Sequence, residues 1–419
     1  MFNLNKKSII LLILLAIIPI LSLIIGFVLN EDLSTGGAKY DFNLTWPIIV
    51  EYSNFNFLGP DGHIPTIHMP LHYGLLSLVY AALDEQYYVR LFYLFFSLLL
   101  PTFLYLNLTK IYNQNKLILI VFSLSFLFIP LLRASAIWSN SHLTAIIFVL
   151  IGNYFYLKSR EKNIFIYKIL NLLFLSFAIY SLQTYLILFI YYLYNYFSSE
   201  KINNFIKLFL FSSLMGLPGL LFIILNPRIA AVGVYITKDF FYTISTNFSI
   251  IFLYLSFLLF NKENLTIFLK GIKILKKSEI VAIFFLCIFT FYNQELFISD
   301  IKLGGGFFYK LSYFIFSNNL IFITSFLLGL ITAYILVKYE PRFLVIFIML
   351  NLMNLNYVIY QKYFEPLFLI IIIILYKNFL VNNVLLNFKN VLIFYGLIFL
   401  YFITAYINYL NKLSYQLLS

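Results

Sequence analysis

The sequence predicts an all-α, polytopic transmembrane protein, and its composition and patterning carry that prediction. Of the 419 residues, 63% are hydrophobic and only 11% are charged, whereas a soluble domain carries about 25% charged residues. Apolar runs of about 18 residues or more recur along the chain, and each can cross a bilayer as a helix. We therefore expect about 11 to 13 helical spans in a single integral-membrane domain over residues 1–419.

The predicted spans follow these runs in order. The first, at residues 8–29, comes after Lys6 and Lys7 as in a signal peptide, but its length favours an uncleaved span. The others are predicted at residues 91–107, 117–132, 141–157, 168–182, 183–197, 208–226, 247–261, 280–295, 313–337, 343–360, 364–376 and 391–410.

The distribution of Lys and Arg predicts the orientation. We attribute the net charge of +12 to cytoplasmic residues near anionic membrane lipids, and we expect no nucleic-acid partner. Residues 70–83 are apolar but short for a span. Most of the 28 Lys and Arg residues lie inside if this segment does not cross, and outside if it does. The positive-inside rule therefore places residues 70–83 in a first outer loop that covers residues 30–90.

This first outer loop concentrates titratable side chains. Such a cluster is typical of a functional site, although a loop also becomes polar simply by facing water. Residues 30–83 hold five of the 16 acidic residues and three of the four histidines, namely Glu31, Asp32, Asp41, Glu51, Asp61, His63, His68 and His72.

Two adjacent acids follow the first span directly. Glu31 and Asp32 lie where a carboxylate can act as a general base or hold a divalent cation such as Mg²⁺ or Mn²⁺. The alternative is an ordinary polar helix end. Asp41 can face the same cleft. His68 and His72 would share one face of a helix, but no clear third ligand accompanies them, so hydrogen bonding is favoured over zinc binding.

Polar residues from later segments are predicted on the same outer side. Arg133 can hold a lipid phosphate or simply extend to the interface. Trp138 can stack on a sugar ring or belong to the interfacial aromatic belt. Lys362 can bind phosphate and Glu365 can orient it or a sugar hydroxyl, unless this stretch, which includes Tyr363, is only a tight turn.

An acid directly after the first span, a long outer loop, the segment Pro70–Tyr73 and Arg90 at the start of the next span resemble the GT-C superfamily of integral-membrane glycosyltransferases. The resemblance implies a polyprenyl- or dolichyl-phosphate sugar donor and juxtamembrane helices in the first outer loop. The acceptor would be a lipid, a glycan or a protein. The family's first-loop catalytic acid maps onto Asp32, with Glu31 beside it.

The sequence departs from the family pattern at two points. Met69 stands where members often carry the first of two prolines. The stretch from Trp138 to His142 lacks the Asp that many members have at the outer start of a later span, so the residues for a two-acid metal site are incomplete. We expect His142, together with Arg90, to contact substrate.

The sequence thus predicts an inverting membrane glycosyltransferase. Asp32, or Asp41 in second place, would deprotonate the acceptor, and Arg133 and Lys362 would stabilise the leaving phosphate. The charge pattern fits a bacterial inner membrane with a periplasmic site, or an endoplasmic reticulum with a lumenal one.

Two other functions stay open at this point. A Wzy-like polysaccharide polymerase or ligase has a similar span number, but tends to carry its large outer loop in the second half. A transporter or lipid flippase would show charges or broken helices at mid-membrane depth, and an internal repeat.

Overall fold

The computed structural model describes residues 6–34, 37–56, 69–225, 240–292, 305–353, 365–375 and 377–418. Within those ranges all regular structure is helical, which confirms the all-α prediction. This outcome follows from the composition, because a backbone in lipid must satisfy its own hydrogen bonds and a helix does so locally.

Up to Leu225, the described residues form eleven α-helices. They are α1 (Lys6–Val28), α2 (Gly37–Ser53), α3 (Leu71–Leu83), α4 (Gln86–Ser97), α5 (Leu99–Ile111), α6 (Lys116–Ser125), α7 (Pro130–Ile137), α8 (Ser141–Lys162), α9 (Phe165–Ser181), α10 (Leu186–Ser199) and α11 (Ile202–Leu225).

The described residues of the remaining chain form a second series of helices. They are α12 (Phe240–Leu259), α13 (Lys262–Ile274), α14 (Lys277–Tyr292), α15 (Gly306–Phe316), α16 (Leu320–Tyr339), α17 (Arg342–Met353), α18 (Glu365–Leu375), α19 (Phe379–Leu385) and α20 (Phe388–Leu418).

The helices form two compact units. The first comprises Met1–Val232 together with Ile398–Ser419, and the second comprises Gly233–Leu397. The candidate site residues that the structure describes up to His142 all belong to the first unit. A single integral-membrane domain stays a prediction.

Several helices are long and apolar enough to cross a membrane. In the described ranges there are five, or up to seven if each of two bent helix pairs counts as one span. The multi-pass helical class is therefore confirmed. The larger span number stays a prediction, because fewer helices in the described ranges pass this test, and the predicted span at 168–182 forms an apolar helix of 17 residues. The five long helices are Lys6–Val28, Gln86–Ile111, Ile202–Leu225, Leu320–Tyr339 and Phe388–Asn411.

One of the bent pairs positions a candidate site residue. The axis turns by 73° between Lys116–Phe128 and Pro130–Ile137. Ile129 between them is extended, with φ −61° and ψ 119°. Proline lacks the N–H that would continue the helical ladder, and it disfavours the helical conformation in the residue before it. The bend therefore follows from the sequence, and it orients the short helix α7 that carries Arg133.

A buried polar network links three helices of the first unit. The Asn153 amide donates to the amide oxygen of Asn107 at 2.7 Å, and the Tyr192 hydroxyl donates to the Asn153 oxygen at 2.6 Å. All three side chains are almost fully buried. Hydrogen bonds of this kind hold helices together where apolar surface gives little driving force. The network therefore fixes α5, α8 and α10 against one another.

Replacing Asn153 by Leu is expected to lower the free energy of unfolding by about 1–2 kcal/mol, because Asn107 and Tyr192 both lose a partner. Asn195→Leu is the matched control, since the Asn195 amide donates to the Tyr191 carbonyl within the same helix. Thermal unfolding in one detergent compares the two variants. Equal losses would contradict an interhelical role for Asn153.

Candidate functional site

The way in which α1 ends positions the two adjacent acids. Asn30 adopts the left-handed conformation, with φ of 52°. The Glu31 N–H donates to the Gly26 carbonyl at 2.9 Å, and the Asn30 N–H donates to the Phe27 carbonyl at 3.1 Å. These two bonds define a Schellman motif, in which Asn is the commonest residue after Gly at the left-handed position. The turn leaves Glu31 and Asp32 only 2% and 3% exposed.

Glu31 forms a buried bidentate ion pair with Arg133. The Arg133 Nε donates to Glu31 Oε1 at 2.5 Å, and Nη2 donates to Oε2 at 2.9 Å. The guanidinium also donates to the hydroxyl and the carbonyl of Ser22, and its Cζ lies 5.0 Å from the centre of the Phe402 ring. A forked pair of this kind satisfies both charges where water is excluded. It ties α7 to the end of α1.

Gly26 provides the space for this ion pair, so Gly26→Ala is expected to lower the free energy of unfolding by about 1–3 kcal/mol. A Cβ at this position would overlap Arg133 Nη2 and lie 2.8 Å from Glu31 Oε2. The control is Gly74→Ala within α3, where a Cβ meets nothing within 4 Å, so the change should stabilise by about 0.5–1 kcal/mol. Thermal unfolding distinguishes them, and two equally stable variants would contradict the assigned contact.

Asp32 is held by donors from Ser34, which precedes α2, and from the first turn of α2. Its Oδ1 accepts from the Ser34 N–H at 2.9 Å and from the Ser34 hydroxyl at 2.5 Å, while Oδ2 accepts from the Lys39 N–H at 2.8 Å. The Ser34 oxygen in turn accepts from the Ala38 N–H at 2.6 Å. A carboxylate near the first turn of a helix satisfies its free N–H groups and its dipole. Asp32 therefore has a structural role in addition to any chemical one.

Arg90 stacks on Trp138 beside these acids. Its Cζ lies 3.8 Å from the centre of the indole, and the indole N–H donates to the Glu31 carbonyl at 2.8 Å. The Arg90 Nε donates to the Ile137 carbonyl at 3.1 Å, and Nη1 donates to Asn30 Oδ1 at 2.8 Å. In the described part of the chain the buried Nη2 has no hydrogen-bond partner. A guanidinium with a free, buried donor favours an incoming anion.

His72 lies in a buried chain of hydrogen bonds. Its Nε2 is 2.9 Å from the Ser139 carbonyl, so this nitrogen donates, and its Nδ1 is 2.8 Å from the Thr144 hydroxyl. The Tyr93 hydroxyl lies 2.8 Å from the same Thr144 oxygen and donates to the Asn140 carbonyl at 2.6 Å. These contacts support the hydrogen-bonding role expected for His72.

Asn140 connects two further candidate residues. Its amide nitrogen lies 3.5 Å from Asp41 Oδ2, at the limit of a hydrogen bond, and its Oδ1 accepts from the His142 N–H at 3.2 Å. The second bond caps the start of α8. Asn140, in the segment that carries Trp138, therefore contacts both Asp41 on α2 and His142 on α8.

Aromatic rings line the α2 side of this site. Phe42 lies 6.2 Å from Trp138 and 5.6 Å from Trp46, measured between ring centres, and Trp46 meets Tyr80 edge-on at 5.1 Å. Trp46 is partly exposed, so its ring surface can contact a ligand. The sequence analysis did not single out Trp46, because an isolated Trp near an interface is common in membrane proteins.

The structure does not describe the side chains of the remaining predicted site residues. His68, Lys362 and Tyr363 lie outside the described residues, and Glu365 is described only as the first residue of α18. Within the described ranges, no group of three or more His, Cys, Asp or Glu side chains could hold a metal ion. A divalent cation stays a prediction.

The chain is thus a multi-pass α-helical membrane protein with a buried charged site at the end of its first helix. Comparisons with protein-family models, with curated proteins and with solved structures find no match.

Proposed function

We propose that this chain is an integral-membrane glycosyltransferase, which moves a sugar from a lipid-phosphate-linked donor to an acceptor at the outer face of the membrane. The proposal rests on the buried cluster of charged side chains around Trp138, which comprises Glu31, Asp32, Arg90 and Arg133. Burying charge is costly. A chain with so few charged residues that gathers four of them in one place is expected to use them chemically.

Asp32 is the proposed general base. Glu31 is engaged by Arg133 through both carboxylate oxygens, so we assign it a positioning role. Among the described residues, the Asp32 carboxylate accepts from neutral donors, and an acceptor hydroxyl can replace one of them. Asp41, half-buried on α2, remains the second candidate.

Arg90 is the proposed ligand of the donor phosphate. The sequence analysis favoured Arg133 for this role, but each of the three Arg133 guanidinium nitrogens already donates within the protein. Arg90 is held by Trp138 and two acceptors, and its Nη2 has no hydrogen-bond partner among the described residues. A preorganised cation beside a developing phosphate charge stabilises the transition state.

The proposed reaction is a single displacement. The acceptor hydroxyl gives its proton to Asp32 while its oxygen attacks the anomeric carbon. The bond between that carbon and the phosphate oxygen breaks, and its electron pair leaves with the lipid phosphate beside Arg90. One displacement inverts the anomeric configuration, and Trp46 offers a ring face for the sugar.

The test is transfer by the purified full-length protein in nanodiscs. A panel of polyprenyl- and dolichyl-phosphate sugars is offered with lipid, glycan and peptide acceptors, and products are identified by mass spectrometry. Release of the lipid phosphate with a glycosylated acceptor of inverted configuration supports the proposal and names the donor. A folded protein that turns over none of the donors would favour the polymerase or ligase and the transporter, and assays of polymerisation and flux would follow.

A further inference from the structure

A second polar site lies at one end of the helices α8 to α11, opposite to the candidate active site. The C-terminal ends of α8 and α10 and the N-terminal ends of α9 and α11 surround a cavity of about 460 Å³. Its lining includes the side chains of Arg160, Lys168, Glu200 and Lys201. By the distribution of Lys and Arg, this end of the bundle faces the cytoplasm.

The inner part of this cavity is electrically balanced. Lys168 lies 2.7 Å from Glu200 in an ion pair and also donates to Asn163 Oδ1 at 2.8 Å. The Lys168 side chain is only 4% exposed. A buried lysine with two acceptors is satisfied, so this pair gives the cavity a fixed and neutral base.

The rim of the cavity carries charge that is not balanced. Arg160 and Lys201 both line the cavity and are exposed. In the described part of the chain neither of them forms an ion pair. Lys201 directly precedes α11, whose first turn adds the positive end of a helix dipole. The cavity as a whole therefore favours an anion.

We propose that this cavity binds a phosphate group at the cytoplasmic face, carried by an anionic lipid headgroup or by a soluble phosphate compound. The volume lies within the range of small-ligand pockets, about 300–1,000 Å³. Basic pockets between helices on the cytoplasmic side of a membrane bind the phosphate groups of lipids. This cavity, with two cations at its rim, has that arrangement. The inference is independent of glycosyl transfer, since it concerns different residues at the other end of the helices.

The experiment compares matched pairs of substitutions in the full-length protein. The test variant is Arg160→Gln with Lys201→Gln. The control is Lys162→Gln on α8 with Lys207→Gln on α11, which removes the same charge from exposed positions that do not line the cavity. A third variant, Arg160→Lys with Lys201→Arg, keeps both charges and shows whether binding survives when folding and charge are preserved.

Two binding measurements distinguish the sources of phosphate. In the lipid arm, the protein is reconstituted in phosphatidylcholine with a minor fraction of phosphatidylglycerol, and the lipids it retains are quantified by mass spectrometry. In the soluble arm, binding of inorganic phosphate is measured in pure phosphatidylcholine nanodiscs. Each cation removed is expected to weaken binding about fivefold, and both together twentyfold or more.

The two arms distinguish a lipid headgroup from a soluble phosphate compound. Retained phosphatidylglycerol that is lost only in the test variant identifies a lipid headgroup site. Phosphate binding in the soluble arm with the same dependence identifies a site for a soluble phosphate compound. The proposal would be overturned if the wild type neither retained phosphatidylglycerol preferentially nor bound inorganic phosphate. An equal loss of binding in the control and test variants would also overturn it.

Discussion

Replacing Glu31 by Gln is expected to lower the free energy of unfolding by about 3–5 kcal/mol. Gln keeps the shape of the side chain but removes the charge that compensates Arg133, which is 2% exposed. A buried cation without its partner costs much more than the lost hydrogen bond, because water cannot reach it. Unfolding of the purified variant by heat or denaturant in one detergent measures the loss.

The control for Glu31→Gln is the same substitution at a surface ion pair. Glu161 lies 2.8 Å from Lys110, with side chains 42% and 31% exposed, so Glu161→Gln should cost less than about 1 kcal/mol. Adding Arg133→Met to Glu31→Gln should restore most of the stability, since the isolated charge is then gone. Equal losses at the two sites, or no recovery in the double variant, would contradict the buried pair.

Local sequence signals account for much of the fold. The end of α1 could be expected near Leu29, because the apolar run stops there and Asn30 is suited to a left-handed cap. Pro130 likewise marks the bend before α7. These features depend on the backbone preferences of a few neighbouring residues, so no tertiary information is needed to place them.

The pairings within the site could not be predicted in the same way. Glu31, Arg133 and Trp138 stand out individually in the sequence, but the ion pair joins positions 102 residues apart. Which acid meets Arg133 depends on the direction of α7 after its bend and on the gap left by Gly26.

The number of spans shows the other limit of sequence reasoning. Hydropathy identifies apolar runs but does not fix where a helix breaks inside one. The predicted span at 168–182 corresponds to the helix Phe165–Ser181, which is shorter than a typical span. The hydrogen-bond network around Asn153 could not be predicted from the sequence either, because a single Asn in an apolar run does not indicate which residue it will contact.

Asp32→Asn is expected to lower the rate of glycosyl transfer by about 10²–10⁴-fold, the contribution of a positioned general base. Asn keeps one oxygen that can accept from Ser34, so the turn after α1 retains part of its support. The lost acceptor for the Lys39 N–H should cost about 1 kcal/mol of stability. The loss of activity is therefore expected to exceed any loss that unfolding explains.

Asp84→Asn is the matched control for this experiment. Asp84 is an exposed acid at the end of α3, in the same predicted outer loop. Its carboxylate accepts from the Tyr80 phenol and raises the Tyr80 pKa, and Asn can replace it as an acceptor. Asn also tolerates the left-handed backbone of this position, where φ is 52°. Transfer by Asp84→Asn should match the wild type.

The rate at which lipid phosphate is released from the donor in nanodiscs tests the proposed role of Asp32 as general base. Wild type, Asp32→Asn and Asp84→Asn are compared at equal amounts of folded protein, with thermal unfolding as the check on folding. We expect release by the wild type and Asp84→Asn, and release by Asp32→Asn that is at least about a hundredfold slower. Release by Asp32→Asn at the wild-type rate would contradict the role as general base, and Asp32 would then have only its structural role at the start of α2.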